Sequence, residues 1–124
     1  MILDAGFLIS VDRGDEAARF LLTALQRSRT PLHTTHTVVA QAWRNGARQA
    51  RLAAFLKTVT VHSFDDGRAV GQILGHAETS DVVDAHLVVL AVRLNDAVLT
   101  GDPDDLNEIA DCIGQAAPII HPWP

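Results

Sequence analysis

Two patterns in the 124 residues predict an α/β fold, a three-layer sandwich with a mainly parallel five-stranded sheet. Five short runs, "MIL", "LHTT", "TVTVHSF", "AVLT" and "APIIHP", are apolar or rich in β-branched residues, as strands are. The stretches between them place apolar residues three and four apart, as amphipathic helices do. Strands alternating with helices bury themselves best as helix layers on a parallel sheet.

Taken in order, "MIL" forms the first strand and stops at Asp4. A helix is predicted from Asp15 to Arg27, with Ala18, Leu21, Leu22 and Leu25 on one face, and Pro31 lies beyond its end. After the strand "LHTT", Thr37 is suited to cap a helix that runs through Val38, Val39 and Trp43 to the stop signal Asn45-Gly46. A further helix is expected over Arg48 to Leu56, before the alternating strand "TVTVHSF". Asp65 or Asp66 opens the next helix, to about Ala77; another runs from Ser80 to Leu94. "AVLT" then gives the fourth strand, Pro103 to Ile113 the last helix, and "APIIHP" the closing strand. In such sheets ligands gather beyond the carboxyl ends of the strands. Asp4, after the first strand, and Asp102, two residues beyond Thr100, both belong at that edge.

The length suits one domain, residues 1–124, and 48% apolar residues can furnish its core. No apolar run approaches the ~20 residues of a membrane helix. "MILDAGFLIS" lacks the basic start and cleavage site of a secretory signal. The single cysteine, Cys112, has no internal disulfide partner, which points to a reducing cytoplasmic setting; a buried structural thiol is expected. Net charge is −5, yet between Ala17 and Phe64 there is no acid and there are seven bases, Arg19, Arg27, Arg29, Arg44, Arg48, Arg51 and Lys57. Such segregation suggests a basic face beside an acidic pocket, as where a polyanion meets a cation-requiring site. Solvated helix faces are the plainer alternative for any one of these bases.

The run "SDVVDAHLVVLA" carries Asp81 and Asp84 into an otherwise apolar helix. Asp81 suits the N-cap, and Asp102 with Pro103 is an ordinary helix start. Asp84 sits one turn further in, beside the stripe of Leu87, Leu90 and Leu94, where a carboxylate is out of place without a partner. If Asp4, Asp84 and Asp102 converge, each like pair at ~4 Å costs about 4 kcal/mol at an effective dielectric of 20. Such acids raise their own pKa values or recruit a cation. Oxygen ligands without a Cys/His pair favour Mg²⁺ or Mn²⁺, which can bind a phosphodiester oxygen and activate water. The six histidines show no HxxxH or HExxH spacing, and neither a P-loop nor a nucleophile elbow is present.

An Asp closing the first strand, "DAHLVVLA" and "VLTGD", with Asp102 eighteen residues after Asp84, together resemble the PIN domain, and more narrowly the VapC-like toxins of type II toxin–antitoxin pairs. The likeness spans essentially the whole chain, including the basic "WRNGARQARLAAFL". It implies a Mg²⁺- or Mn²⁺-dependent endoribonuclease acting on an RNA substrate, usually a homodimer, silenced by a cognate antitoxin protein and bound to no membrane. Position by position, it makes Asp4, Asp84 and Asp102 metal-site acids and sets Gln41 in "TVVAQAWR" where the family has a glutamate. Glutamine keeps an accepting oxygen but supplies neither charge nor base. The hydroxyl residue that often follows the first Asp is replaced by Ala5-Gly6, whereas Thr100 keeps a hydroxyl near Asp102.

On this reading Asp4 and Asp84 are the principal metal ligands, Asp102 binds directly or through water, and Asp81 and Thr100 support them from behind. Gln41 orients the metal's water or the scissile phosphate. Arg44, three residues beyond Gln41, contacts phosphate or pairs with an acid, while Arg48 and Arg51 hold the RNA backbone or an acidic antitoxin segment. Trp43 is expected in the core or at a dimer interface. A binding module with weak or no nuclease activity, because Gln41 replaces the acid, is the competing reading. A phosphoacceptor receiver domain ranks behind both, since no Lys follows Lys57 and only Asp4 follows the first strand.

Overall fold

The computed structural model describes residues 1–79 and 81–124. Ser80, expected above to begin a helix, lies outside the described residues. The elements run β1 (Ile2–Leu3), α1 (Ala5–Arg13), α2 (Glu16–Arg27), β2 (His33–Thr35), α3 (His36–Ala42), α4 (Ala50–Leu56), β3 (Thr60–His62), α5 (Gly67–Ala77), α6 (Val82–Leu94), β4 (Val98–Thr100), α7 (Pro103–Asp111) and β5 (Ile120–Pro122). Single 3₁₀ turns at Gly46–Arg48 and Gly114–Ala116 lead into α4 and follow α7.

The five strands form one sheet in the order β3-β2-β1-β4-β5, and every neighbouring pair is parallel. The expected sheet is thus parallel throughout rather than mainly so. β1 sits at its centre, with Ile2 beside both His33 and Val98 and Leu3 beside Leu99. That register carries the chain out of β1 and β4 at the same level, so Asp4 and Thr100 emerge side by side. The Asp4 amide donates to the Leu99 carbonyl at 3.0 Å, extending the pairing by one residue.

One helix escaped the sequence pattern. The segment after Asp4 forms α1, burying Phe7, Leu8 and Val11, and ends where Gly14 turns left-handed at φ 70°. A side chain at Gly14 would be strained by that φ and would meet the Arg51 guanidinium 3.0 Å away. Gly14-Asp15 therefore separates two helices where only the second was expected. Elsewhere the ends shift by a residue or two: α4 begins at Ala50, not Arg48, and α7 ends at Asp111, not Ile113. Cys112 corrects a further expectation. It is exposed, because it caps the end of α7 with its thiol turned back on the Glu108 carbonyl.

α6 explains the apolar run that surrounds Asp84. Ala85 through Ala91 are all buried, so this helix is covered on nearly every side, packing against α5, α7 and β4. On the other side of the chain, Phe7 is fully buried and meets Phe55 and Trp123 edge-on, at centroid distances of 6.0 and 4.9 Å. Trp43 is half-buried against the same core, as expected. Phe7→Ala should destabilise the fold by about 3–5 kcal/mol, since it empties a site touched by α1, α4 and the C-terminal segment at once. Urea titration measures this, and a loss below about 1 kcal/mol would contradict the packing described.

Candidate functional site

The site begins with Asp4. Its backbone is extended, as an N-cap requires, and its carboxylate accepts from the Ala5 amide at 2.6 Å. The second oxygen accepts from the Thr100 hydroxyl at 2.7 Å, and that hydroxyl in turn accepts from the Asp102 amide at 2.9 Å. Asp4 is 6% exposed and Thr100 fully buried, so the chain of hydrogen bonds fixes one carboxylate at the edge of the sheet.

Asp84 stands in the first turn of α6. Asp81 caps that helix, its side chain accepting from the Asp84 amide at 3.0 Å. A pocket of about 130 Å³ opens here, lined by Ala77, Thr79, Asp81, Asp84, Asp105, Glu108 and Ile109. Four acids and no base line it. Burial pushes the Asp84 carboxyl up to about 7, and the charges of Asp81, Asp4 and Asp105 add to the rise, together with a hydrogen bond to Asp81. Among the described residues, none of these carboxylates forms an ion pair.

The expected acids are only partly assembled. Asp4 and Asp84 come within electrostatic reach of one another. Asp102 occupies the N-cap of α7, its side chain exposed and without a capping bond, while its amide donates to the Thr100 hydroxyl. Asp105, three residues further on, lines the pocket beside Asp84, because the first turn of α7 carries it round to the side of Ile109. The sequence did hold this signal: Asp105 lies four residues before the buried Ile109. Asp105 and Glu108 were missed because acids at a helix start read as dipole partners.

The donors here are carboxylate and hydroxyl oxygens, the set that suits a hard divalent cation. Among the described residues no three His, Cys, Asp or Glu side chains are grouped to hold a single ion. The donor set therefore fits an ion held by one or two carboxylates and completed by water, not a closed protein cage.

Gln41 lies exposed near the end of α3. The bases singled out in the sequence do local structural work. Arg44 donates to the carbonyls of Ala40 and Trp43 at 2.9 and 2.6 Å, capping the end of α3 instead of pairing with an acid. Arg51 reaches the Asp12 carbonyl at 3.4 Å, near the end of α1, and Arg48 is exposed in the 3₁₀ turn. The buried Gln49, which the sequence gave no reason to notice, braces this region: it accepts from the amides of Arg44 and Asn45 and donates to Asp12 and Ala42. His86 is fully buried with Phe64 edge-on, its two ring nitrogens have no hydrogen-bond partner among the described residues, and burial pushes its pKa down.

The Asp84 shift carries a sign. A carboxyl raised in the folded state binds a proton that the unfolded chain releases near pH 3.8, so its contribution to stability is present at low pH and is lost as pH rises through about 7. Without divalent metal, Asp84→Asn should melt above the wild type at pH 8, with the gap closing toward pH 5. Calorimetry at the two pH values checks this; a variant less stable at both would refute the like-charge crowding.

No family model and no curated relative matches the chain. Among solved structures, it superposes on a chain of VapBC2 from Rickettsia felis, a structure described as bound to a DNA fragment from their promoter. The TM-score is 0.72, and the match covers 99% of this chain and 98% of that one at 13% sequence identity. At that identity the likeness is one of fold, and it supports the PIN-like architecture that the sequence predicts.

Proposed function

We propose that this protein is a metal-dependent endoribonuclease, the toxin of a toxin–antitoxin pair, hydrolysing RNA phosphodiester bonds at a carboxylate-bound Mg²⁺ or Mn²⁺ site. The observation that carries the reading is the crowding at Asp84: a carboxyl pushed up to about 7 by burial and by Asp81, Asp4 and Asp105, with no base lining its pocket. A pocket of that kind is relieved by a divalent cation. The cation, when bound, supplies Lewis acidity toward a phosphoryl oxygen and a more acidic water.

A cation here would be held by Asp4 and Asp84, and the Thr100 hydroxyl fixes the orientation of the Asp4 carboxylate. Asp81 fixes the start of α6 and so the position of Asp84. Asp105 and Glu108 add to the negative potential of the pocket, and Asp102, at the start of α7, would bind a cation directly or through water. Gln41 positions water or phosphate without taking a proton. Arg48, with the other bases of the acid-free window, guides the RNA backbone. The reading includes a cytoplasmic setting, a homodimer and an antitoxin partner; the fold shared with a VapBC2 chain supports the last of these.

One observation favours a second reading, an RNA- or partner-binding module with weak or no nuclease activity. Gln41 stands where the resemblance expects an acid, and no three acidic or histidine side chains are grouped for one ion among the described residues. Incubation of total RNA with the protein separates the two. On the first reading cleavage needs Mg²⁺ or Mn²⁺, stops in EDTA, and falls at least about 100-fold in Asp4→Asn and Asp84→Asn. Cleavage undiminished in chelator refutes it. A silent wild type that Gln41→Glu awakens establishes the second.

A further inference from the structure

β2 and β3 set two histidines against each other at the edge of the sheet. Side chains alternate between the faces of a strand, and residues paired in register point the same way. His33 pairs with Thr60 and Thr35 with His62, so His33 and His62 share one face of neighbouring strands, offset by two residues. Their rings span that diagonal. His33 Nδ1 and His62 Nε2 lie 3.0 Å apart, with ring centroids at 5.1 Å and planes tilted by 38°. β3 is the outermost strand on its side, and both rings are half-buried, so water reaches the pair.

A hydrogen bond between two imidazoles uses one nitrogen as donor and the other as acceptor. Both nitrogens can instead ligate one metal ion, provided each ring carries its proton on the outer nitrogen, Nε2 of His33 and Nδ1 of His62. Between neutral rings that is a change of tautomer and releases no proton. Metal–imidazole bonds of about 2.0–2.1 Å that meet at about 95° place their nitrogens about 3.0 Å apart. Adjacent positions of a tetragonal Cu²⁺ or Ni²⁺ centre match that span, and a tetrahedral Zn²⁺ needs about 0.3 Å more, which two half-buried rings supply by turning. Burial, then His62 and the Met1 amine, push the His33 pKa down, which keeps this ring free of a competing proton at neutral pH. Asp96 acts in the opposite direction. Its two oxygens already accept from the Met1 amine and the Ala97 amide, so it lends a negative charge rather than a ligand.

We propose that His33 and His62 form a site for one divalent transition-metal ion of the zinc and copper class, held by the two imidazoles and completed by water. Nitrogen donors select these ions over the Mg²⁺ or Mn²⁺ that oxygen ligands favour. None of the residues lining the acidic pocket takes part, so the site stands whether or not the protein cuts RNA. The bound ion joins β3 to β2, pinning a strand that has a neighbour on one side only. No spacing in the sequence announces the pair, because 29 positions separate the two histidines and the parallel register brings them together.

Calorimetric titration of the untagged full chain with Zn²⁺, in an excess of Mg²⁺ that occupies carboxylate sites, tests this. One ion per chain is expected to bind. His33→Gln and His62→Gln should each weaken binding at least about tenfold, since loss of a ligand costs no less than loss of a ligand's supporting partner. Asp84→Asn should leave it unchanged, as should Cys112→Ser, which removes the exposed thiol that is the other soft donor. Zn²⁺ should raise the melting temperature of the wild type and not that of the two histidine variants. Binding weaker than about 1 mM, binding that survives both histidine variants, or binding lost in Asp84→Asn or Cys112→Ser overturns the proposal. Where a histidine variant fails to fold, NMR of the wild type decides. Substoichiometric Cu²⁺ should broaden the ring signals of His33 and His62 ahead of those of the other four of the six histidines, and uniform broadening overturns the proposal.

Discussion

Asp4 holds a carboxylate inside the protein, at the point where the central strand ends, and the neighbouring elements are arranged around it. Its oxygens accept from the Ala5 amide and the Thr100 hydroxyl, and the same hydroxyl receives the Asp102 amide. One side chain therefore starts α1, ties β1 to β4 and, through Thr100, reaches the start of α7. Hydrogen bonds to a charged group contribute about 1.5–3 kcal/mol each, enough to offset much of the desolvation of a carboxylate that keeps a narrow opening to water. The parallel register of β1 and β4 makes the arrangement possible, because it brings residues 96 apart in sequence to one level.

The Asp4 carboxylate is one of several influences on Asp84. A carboxylate in the first turn of a helix is ordinarily favourable, since it meets the positive end of the dipole. Here burial comes first, and Asp81, Asp4 and Asp105 follow, all acting in the same direction. Three of the bases are turned to other work: Arg44 caps α3, Arg51 reaches the end of α1, and Arg93 faces Asp65 and Asp66 at 3.7 and 3.6 Å. The acidic pocket is left with no protein counter-charge, which is why a bound cation is the economical resolution of its electrostatics.

Much of this was legible in the sequence because it is local. Strand runs, the Asp81 cap and the buried stripe of α6 follow from periodicity and capping chemistry, and the edge position of Asp4 follows from the parallel-sheet rule. What escaped reading depends on the third dimension. α1 was lost because nine residues between an Asp and a Gly-Asp pair look like a loop until a core exists for Phe7 and Leu8 to enter. Asp105 was passed over for Asp102 because the residue nearest the strand end attracts attention, whereas the turn of α7 decides which acid faces the pocket. Gln49, with both its oxygen and its nitrogen engaged, carries no sequence signature at all.

The acid-free window acquires a structural meaning once the helices are in place. From Ala17, within α2, to β3 the chain has no carboxylate of its own, so its arginines find backbone carbonyls or solvent. Bases that are not neutralised within their own segment keep a long-range positive potential, which screening reduces beyond about 8–10 Å in physiological salt. Acids and bases are thereby kept in separate territories of one small fold. In α2 the separation breaks down at a single end: Glu16 stands just outside the window and Arg27 inside it, at opposite ends of the same exposed stripe.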